Sequence, residues 1–159
     1  MRAPSLPHLP HPDAVADSSS SVRDVHVPKL MSVEEYETVY QLVSVIEGDI
    51  SNSKSRVAAL AQSLPPGSMT GAPKKRSCEL LQEIEGGKPR GLYSGVIGYL
   101  DVGGGADFSV VIRTAFKWDD EGDLWHVGAG GAITALSEPD AEWQEMLTKR
   151  QSVLGVLAP

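Results

Sequence analysis

The sequence predicts a mixed α/β (α+β) fold, an antiparallel set of strands accompanied by separate helices. Three observations predict it. A period of two runs through residues 93–128 and is broken by glycine turns. A β-branched run, Val39, Leu42, Val43, Val45 and Ile46, suits a strand over 36–47. Helical spacing appears at 73–85, and a helix-start signature opens 138–154.

The elements follow in order. Residues 1–23 hold Pro4, Pro7, Pro10 and Pro12 and the serine run Ser18 to Ser21, so a disordered leader is expected there. It contains no apolar stretch of the kind that marks a secretory signal. Order is expected over 24–159. Val25 and Val27 alternate with His26 and Pro28, which predicts a short edge strand. Glu34, Glu35 and Glu37 would suit a helix start, but the β-branched run after them favours a strand ended by Gly48. Residues 53–63 read as a helix with Ser53 as cap.

A glycine turn, Pro65 to Gly71, leads to Pro73 and a helix to Glu85, with Cys78, Leu80, Leu81 and Ile84 inward and Gly86-Gly87 as the stop. Strands are expected at 93–100, 107–117 and 124–128, joined as a meander by the turns at Gly103–Gly105 and Asp119–Gly122. The last helix, Glu138 to about Leu154, has Ser137 as cap and Pro139 in its first turn.

Composition limits the function classes. The 159 residues make one domain of ordinary size. A net charge of −7 argues against general nucleic-acid binding. No apolar run approaches the roughly 18 residues that span a bilayer. One cysteine excludes an internal disulfide framework, and its apolar neighbours suggest a buried thiol. His8, His11, His26 and His126 have no partner at zinc spacing. A cytosolic protein fits these features.

Four features could carry chemistry, and each has two readings. The turn around Gly67 and Gly71 is either a helix cap or an anion cradle. It is not a nucleotide P-loop, because three residues separate its glycines and Pro73 precedes Lys74. Arg113 in an apolar strand either sits on an exposed face or awaits a carboxylate that matches its planar fork. Glu142, Glu145 and Lys149 share one helix face. They make either a solvated Glu-to-Lys pair or a hard-cation site with a lysine beside it. Gly128 to Ala132 is either a tight turn or a set of N–H donors for an anion. Together the four suit a small substrate with more than one carboxylate, held partly through Mg²⁺.

The stretch Pro66-Gly67-Ser68-Met69-Thr70-Gly71-Ala72-Pro73-Lys74 resembles the signature loop of chorismate-utilising enzymes. The resemblance continues through Tyr93–Leu100, Ile112-Arg113-Thr114-Ala115, Ala129-Gly130-Gly131 and Ser137 to Glu145, and covers about residues 24–155. Within the family, Tyr40-Gln41-Leu42-Val43-Ser44 is most similar to aminodeoxychorismate synthases (para-aminobenzoate synthases) of the fungal type. Anthranilate synthases usually have histidine where this chain has Gln41. Ala132 stands where glycine is usual, and Leu136 where aspartate is common.

The resemblance implies a two-lobed fold of antiparallel sheets with helices outside. It implies amination of chorismate to 4-amino-4-deoxychorismate, on the way to p-aminobenzoate and folate, with ammonia from a glutamine amidotransferase domain or subunit. It places Thr70, Gly71, Tyr99, Arg113, Gly130, Gly131 and Lys149 at the substrate and Glu142 and Glu145 at Mg²⁺. The family's attacking lysine and a further metal-binding glutamate belong to an earlier segment with no counterpart in these residues. Lys74, Lys75 and Lys149 match other positions, so the catalytic nucleophile is unassigned. The chain is therefore expected to be the C-terminal half of a chorismate-binding domain, whether a truncated product, a piece of a split enzyme or an incomplete gene model. The alternatives are an anthranilate synthase-like activity and a non-catalytic remnant that pairs with a full-length enzyme.

Overall fold

The computed structural model describes residues 22–50 and 56–157. The expected leader lies outside the described residues except for Val22 and Arg23, and so does the expected cap Ser53. The chain divides into two units between Leu64 and Pro65.

In the first unit, β1 (Val22–Glu35) pairs antiparallel with β2 (Tyr40–Ile50). β1 is much longer than the short strand expected around Pro28. Its register shifts between Arg23 and His26, between His26 and Lys29, and between Lys29 and Ser32. Irregular pairing lets a ribbon continue past a proline that cannot donate a ladder bond. Asp24 and Met31 take left-handed backbone angles at these irregularities. The stretch 33–48 is strand rather than helix, turning where the Tyr36 N–H bonds to the Val39 carbonyl at 2.9 Å. Gly48 does not end β2. It allows the strands to approach, since a Cβ there would lie 2.7 Å from Val22 Cγ1. Helix α1 (Arg56–Ser63) follows and buries Ala59.

The second unit opens with the short helix α2 (Gly67–Thr70), the turn at Gly71, and α3 (Lys74–Ile84). Pro73 stands at the N-cap of α3 with extended backbone, one position before the first-turn place expected. Glycine is required at Gly71, whose φ is +97°, but not at Gly67, which has open space around it. Gly86 and Gly87 end α3 as expected: both are left-handed, and the Gly87 N–H bonds back to the Gln82 carbonyl at 2.8 Å. Leu80 and Ile84 face outward, at 39% and 77% exposure, and Cys78 is only half-buried. Helical spacing gives a face but not its cover.

The expected meander is two separate hairpins. β3 (Val96–Leu100) pairs with β4 (Ala106–Val110), and β5 (Ala115–Phe116) pairs with β6 (His126–Val127). The strand expected at 93–100 starts only at Val96, because Ser94 is left-handed and buried in a turn. The strand expected at 107–117 breaks at Arg113, where φ is +50°. Alternation of side chains survives such a kink in the sequence, so the pattern does not reveal it. Helix α4 (Pro139–Leu157) begins at Pro139 and runs beyond Leu154.

Among the described residues, the buried apolar side chains are Ala59, Val111 and Val153. Leu42, Ile46, Ile97 and Trp143 are all more than half exposed. So small a core gives little hydrophobic gain against the entropy of ordering the chain.

Candidate functional site

The site is built on the start of α4 and the loop before it. Pro139 supplies a preset φ, and Asp140 and Glu142 in the first turn complement the helix dipole. Ser137 does not serve as the cap. Its hydroxyl lies 2.7 Å from Glu142 Oε1 and 3.2 Å from the Ala132 carbonyl, and it accepts the Thr134 N–H at 3.0 Å. Ser137 thus ties the end of the glycine loop to the Glu142 carboxylate.

Glu142 Oε2 points at the same loop. A Cβ on Gly131 would lie 2.9 Å from it and 3.6 Å from Glu145 Oε2. Among the described residues, Glu142 Oε2 is buried and has no hydrogen-bond partner. A buried carboxylate oxygen left without a partner costs free energy unless something else binds it.

One turn on, Glu145 pairs with Lys149 at 2.9 Å. The Lys149 ammonium holds the Glu145 carboxyl below its usual range, chiefly by hydrogen bond and then by charge. The Arg113 guanidinium adds a smaller contribution in the same direction. Arg113 stands in the bend after β4, exposed as one of its two readings has it but outside the strand expected over 107–117.

The structure therefore brings Gly130, Gly131, Glu142, Glu145 and Lys149 together, with Arg113 near enough for its charge to act on Glu145. Tyr99 does not join them through a hydrogen bond. It is 62% exposed on β3, opposite Asp107. Thr70 lines a different cavity of about 380 Å³ with Cys78, Arg90, Tyr93 and Ser94. The Thr70 hydroxyl donates to the Pro66 carbonyl, and the Gly71 N–H to the Gly67 carbonyl at 2.7 Å. Those two donors serve the turn itself, so the anion cradle expected there is partly closed.

Three residues matter that the sequence did not single out. Tyr93 lies across the glycine loop: a Cβ on Gly128 would overlap its ring, and one on Gly130 would come 2.8 Å from its hydroxyl. Arg90 pairs with Glu85, and its Nη1 donates to Ser94 Oγ at 2.8 Å. Ser94 is buried at 7% exposure with φ +68°. An arginine in a loop has no periodic signal, and a left-handed serine looks like any other serine. The clearest hint was the density of glycine at 128–131.

The Glu85–Arg90 pair gives a pH prediction. Hydrogen bonding to Arg90 lowers the Glu85 carboxyl below its ordinary 4.5. A depressed carboxyl stabilises the fold above its unfolded value, and that contribution is lost as pH falls through the folded one. Urea unfolding followed by tryptophan fluorescence from about pH 6 to about pH 3 should show stability dropping on acidification. The drop should be shallower in Glu85→Gln. Identical slopes in the two proteins would show that the pair contributes nothing.

Among the described residues no three histidine, cysteine or acidic side chains gather as a metal cage, and no helix is long and apolar enough to cross a membrane. What is assembled is a pair of carboxylates, one with an unpartnered oxygen, flanked by an ammonium, a guanidinium and a glycine loop. That set can hold a hard cation and an anion side by side.

The chain is 52% identical over 130 residues to a putative aminodeoxychorismate synthase of Schizosaccharomyces pombe, covering 82% of this chain and 18% of that one. It is 49% identical over 150 residues to the aminodeoxychorismate synthase of Saccharomyces cerevisiae, covering 85% and 19%. The chain thus spans under a fifth of the length of these curated relatives. Its fold matches the crystal structure of anthranilate synthase component I from Streptococcus pneumoniae with a TM-score of 0.67 and 31% identity, over 89% of this chain and 31% of that one. The family model for chorismate binding enzymes matches residues 15–155. With the match running through the glycine turn, the Arg113 bend and the carboxylates of α4, the chain belongs to the chorismate binding enzyme family.

Proposed function

We propose that this chain is the chorismate-contacting portion of an aminodeoxychorismate synthase, which aminates chorismate to 4-amino-4-deoxychorismate in the cytoplasm and feeds folate synthesis. The observation that carries the reading is the unpartnered Glu142 Oε2 facing Gly131 beside the Glu145–Lys149 pair. Charge balance supports a metal. Glu142 and Glu145 offset Lys149 and Arg113, so a dicarboxylate such as chorismate would bring uncompensated negative charge. A divalent cation cancels it. The donor set fits Mg²⁺, which uses one or two protein carboxylates and completes its shell with water and substrate oxygens.

Glu142 and Glu145 would hold that ion, which when bound supplies positive charge to a substrate carboxylate. Lys149 and Arg113 add cationic contacts, and Gly130 and Gly131 keep the loop free of side chains so that the substrate can approach its N–H groups. Thr70, Gly71 and Tyr99 would add to the substrate-binding set by the family resemblance, Thr70 from the cavity that it lines with Arg90 and Tyr93. Ser137 orients Glu142 through its hydroxyl. Ammonia would come from a glutamine amidotransferase domain or subunit.

Calorimetric titration of the chain with chorismate should show weak binding that needs Mg²⁺, with no turnover when ammonium is supplied. Heat of binding unchanged by chelation, or robust turnover by the chain alone, would sink the reading. A second reading, anthranilate synthesis, is favoured by the fold match to anthranilate synthase component I. Adding the remainder of a family catalytic domain separates the two, since anthranilate formation releases pyruvate and fluorescent product whereas 4-amination releases neither.

A further inference from the structure

We infer that Arg90 is a positioning residue that locks the Pro66–Gly71 turn and the Tyr93 platform together, and so sets where Thr70 and Gly71 stand relative to Gly130 and Gly131. The inference rests on the chorismate-binding reading for its functional consequence, but not for the linkage itself.

Each nitrogen of the guanidinium has work. Nε donates to Glu85 Oε2 at 2.9 Å and Nη2 donates to Glu85 Oε1, so the fork is bidentate on the end of α3. Nη1 donates to Ser94 Oγ at 2.8 Å and reaches the Met69 carbonyl at 3.4 Å. One planar group thus joins the C-terminal end of α3, the glycine turn and the segment that carries Tyr93.

The second link is the backbone at Ser94. A non-glycine residue at φ +68° is held there by its surroundings. Its N–H bonds to the Val111 carbonyl at 3.0 Å and its hydroxyl accepts from Arg90. That conformation aims the neighbouring Tyr93 ring at Gly128 and Gly130. Gly131, next in the loop, faces Glu142 and Glu145. The chain of contacts runs from Met69 through Arg90, Ser94 and Tyr93 to the carboxylate cluster. Lysine cannot reproduce it, because an ammonium on a flexible stem offers no fixed fork.

The test uses the full chain labelled with ¹⁵N. In Arg90→Lys, without ligand, the amide resonances of Gly71 and of Gly130 and Gly131 should both shift. In Arg76→Ala, an exposed residue of α3, neither group should move. Chorismate affinity in the presence of Mg²⁺ should fall about 10- to 100-fold in Arg90→Lys. Methylguanidine added to Arg90→Ala should restore both resonances and affinity. If Arg90→Ala fails to fold, Arg90→Lys and the milder Glu85→Gln, which should shift Gly71, carry the decision. Unmoved glycine resonances in Arg90→Lys, or unchanged affinity, would overturn the inference. If the unaltered chain binds no chorismate, the functional reading fails by itself, and the glycine resonances still judge the linkage.

Discussion

Glu142→Gln should abolish the Mg²⁺ dependence of chorismate binding without lowering the thermal midpoint of the metal-free protein. The two halves of that expectation come from one atom. Glu142 Oε2 is buried and has no hydrogen-bond partner among the described residues, so in the metal-free fold that oxygen is a desolvated acceptor with nothing to accept from. Glutamine removes the charge and keeps the shape, and Ser137 can still bond to the remaining carbonyl oxygen. On the proposed Mg²⁺ reading the same change removes one of the two carboxylates that would hold the ion, so affinity for chorismate in saturating Mg²⁺ should fall at least about tenfold, or 1.4 kcal/mol. Calorimetry with and without Mg²⁺, paired with thermal melts, reads both quantities. A variant that melts earlier and binds as well as before would make Glu142 a structural residue and remove the metal site.

Gly128→Ala should be among the most damaging single substitutions in the second unit. A Cβ there would overlap Tyr93 at its ring and at its own Cβ, where the side chain cannot swing away. Overpacking of this kind costs about 1–3 kcal/mol, and for a unit of this size each kcal/mol lowers the midpoint by roughly 4–8 °C. Gly67→Ala is the internal contrast. Gly67 lies in α2 with nothing within 4 Å of a Cβ. Alanine also favours helix over glycine by about 1 kcal/mol, so this change should be neutral or stabilising. A double-mutant cycle with Tyr93→Ala isolates the share of the ring, because Gly128→Ala should cost less once the ring is gone and only the contact with the Cβ remains. Strict additivity of the two changes would show that the clash is not with the Tyr93 ring.

These two glycines show where sequence reading reached its limit. Both stand in glycine-rich stretches, and composition gives no means of ranking them. The sequence turn around Gly67 and Gly71 looked symmetrical, yet only Gly71 needs a left-handed backbone. Arg113 looked like a strand residue because its neighbours alternate, whereas its φ of +50° breaks the strand and leaves it exposed. Leu80 and Ile84 looked inward by spacing but face outward.

What the sequence by itself determined was local. The presence of strands in the first unit though not their extent, helices α3 and α4, the glycine stop after α3 and the proline start of α4 follow from propensity, periodicity and turn chemistry over a few residues. The shared face of Glu142, Glu145 and Lys149 follows from helical spacing. Only the tertiary structure decided the rest: that Glu142 meets Gly131, that Tyr93 covers Gly128 and Gly130, and that Arg90 binds Glu85, Ser94 and Met69. The pairings of Tyr93 with Gly128 and Gly130 and of Arg90 with Met69 join residues far apart in sequence, and those of Arg90 with Glu85 and Ser94 fall in a loop that has no periodic signal. Their energy depends on burial and on which partners satisfy each polar atom, and neither is written in any short stretch of residues.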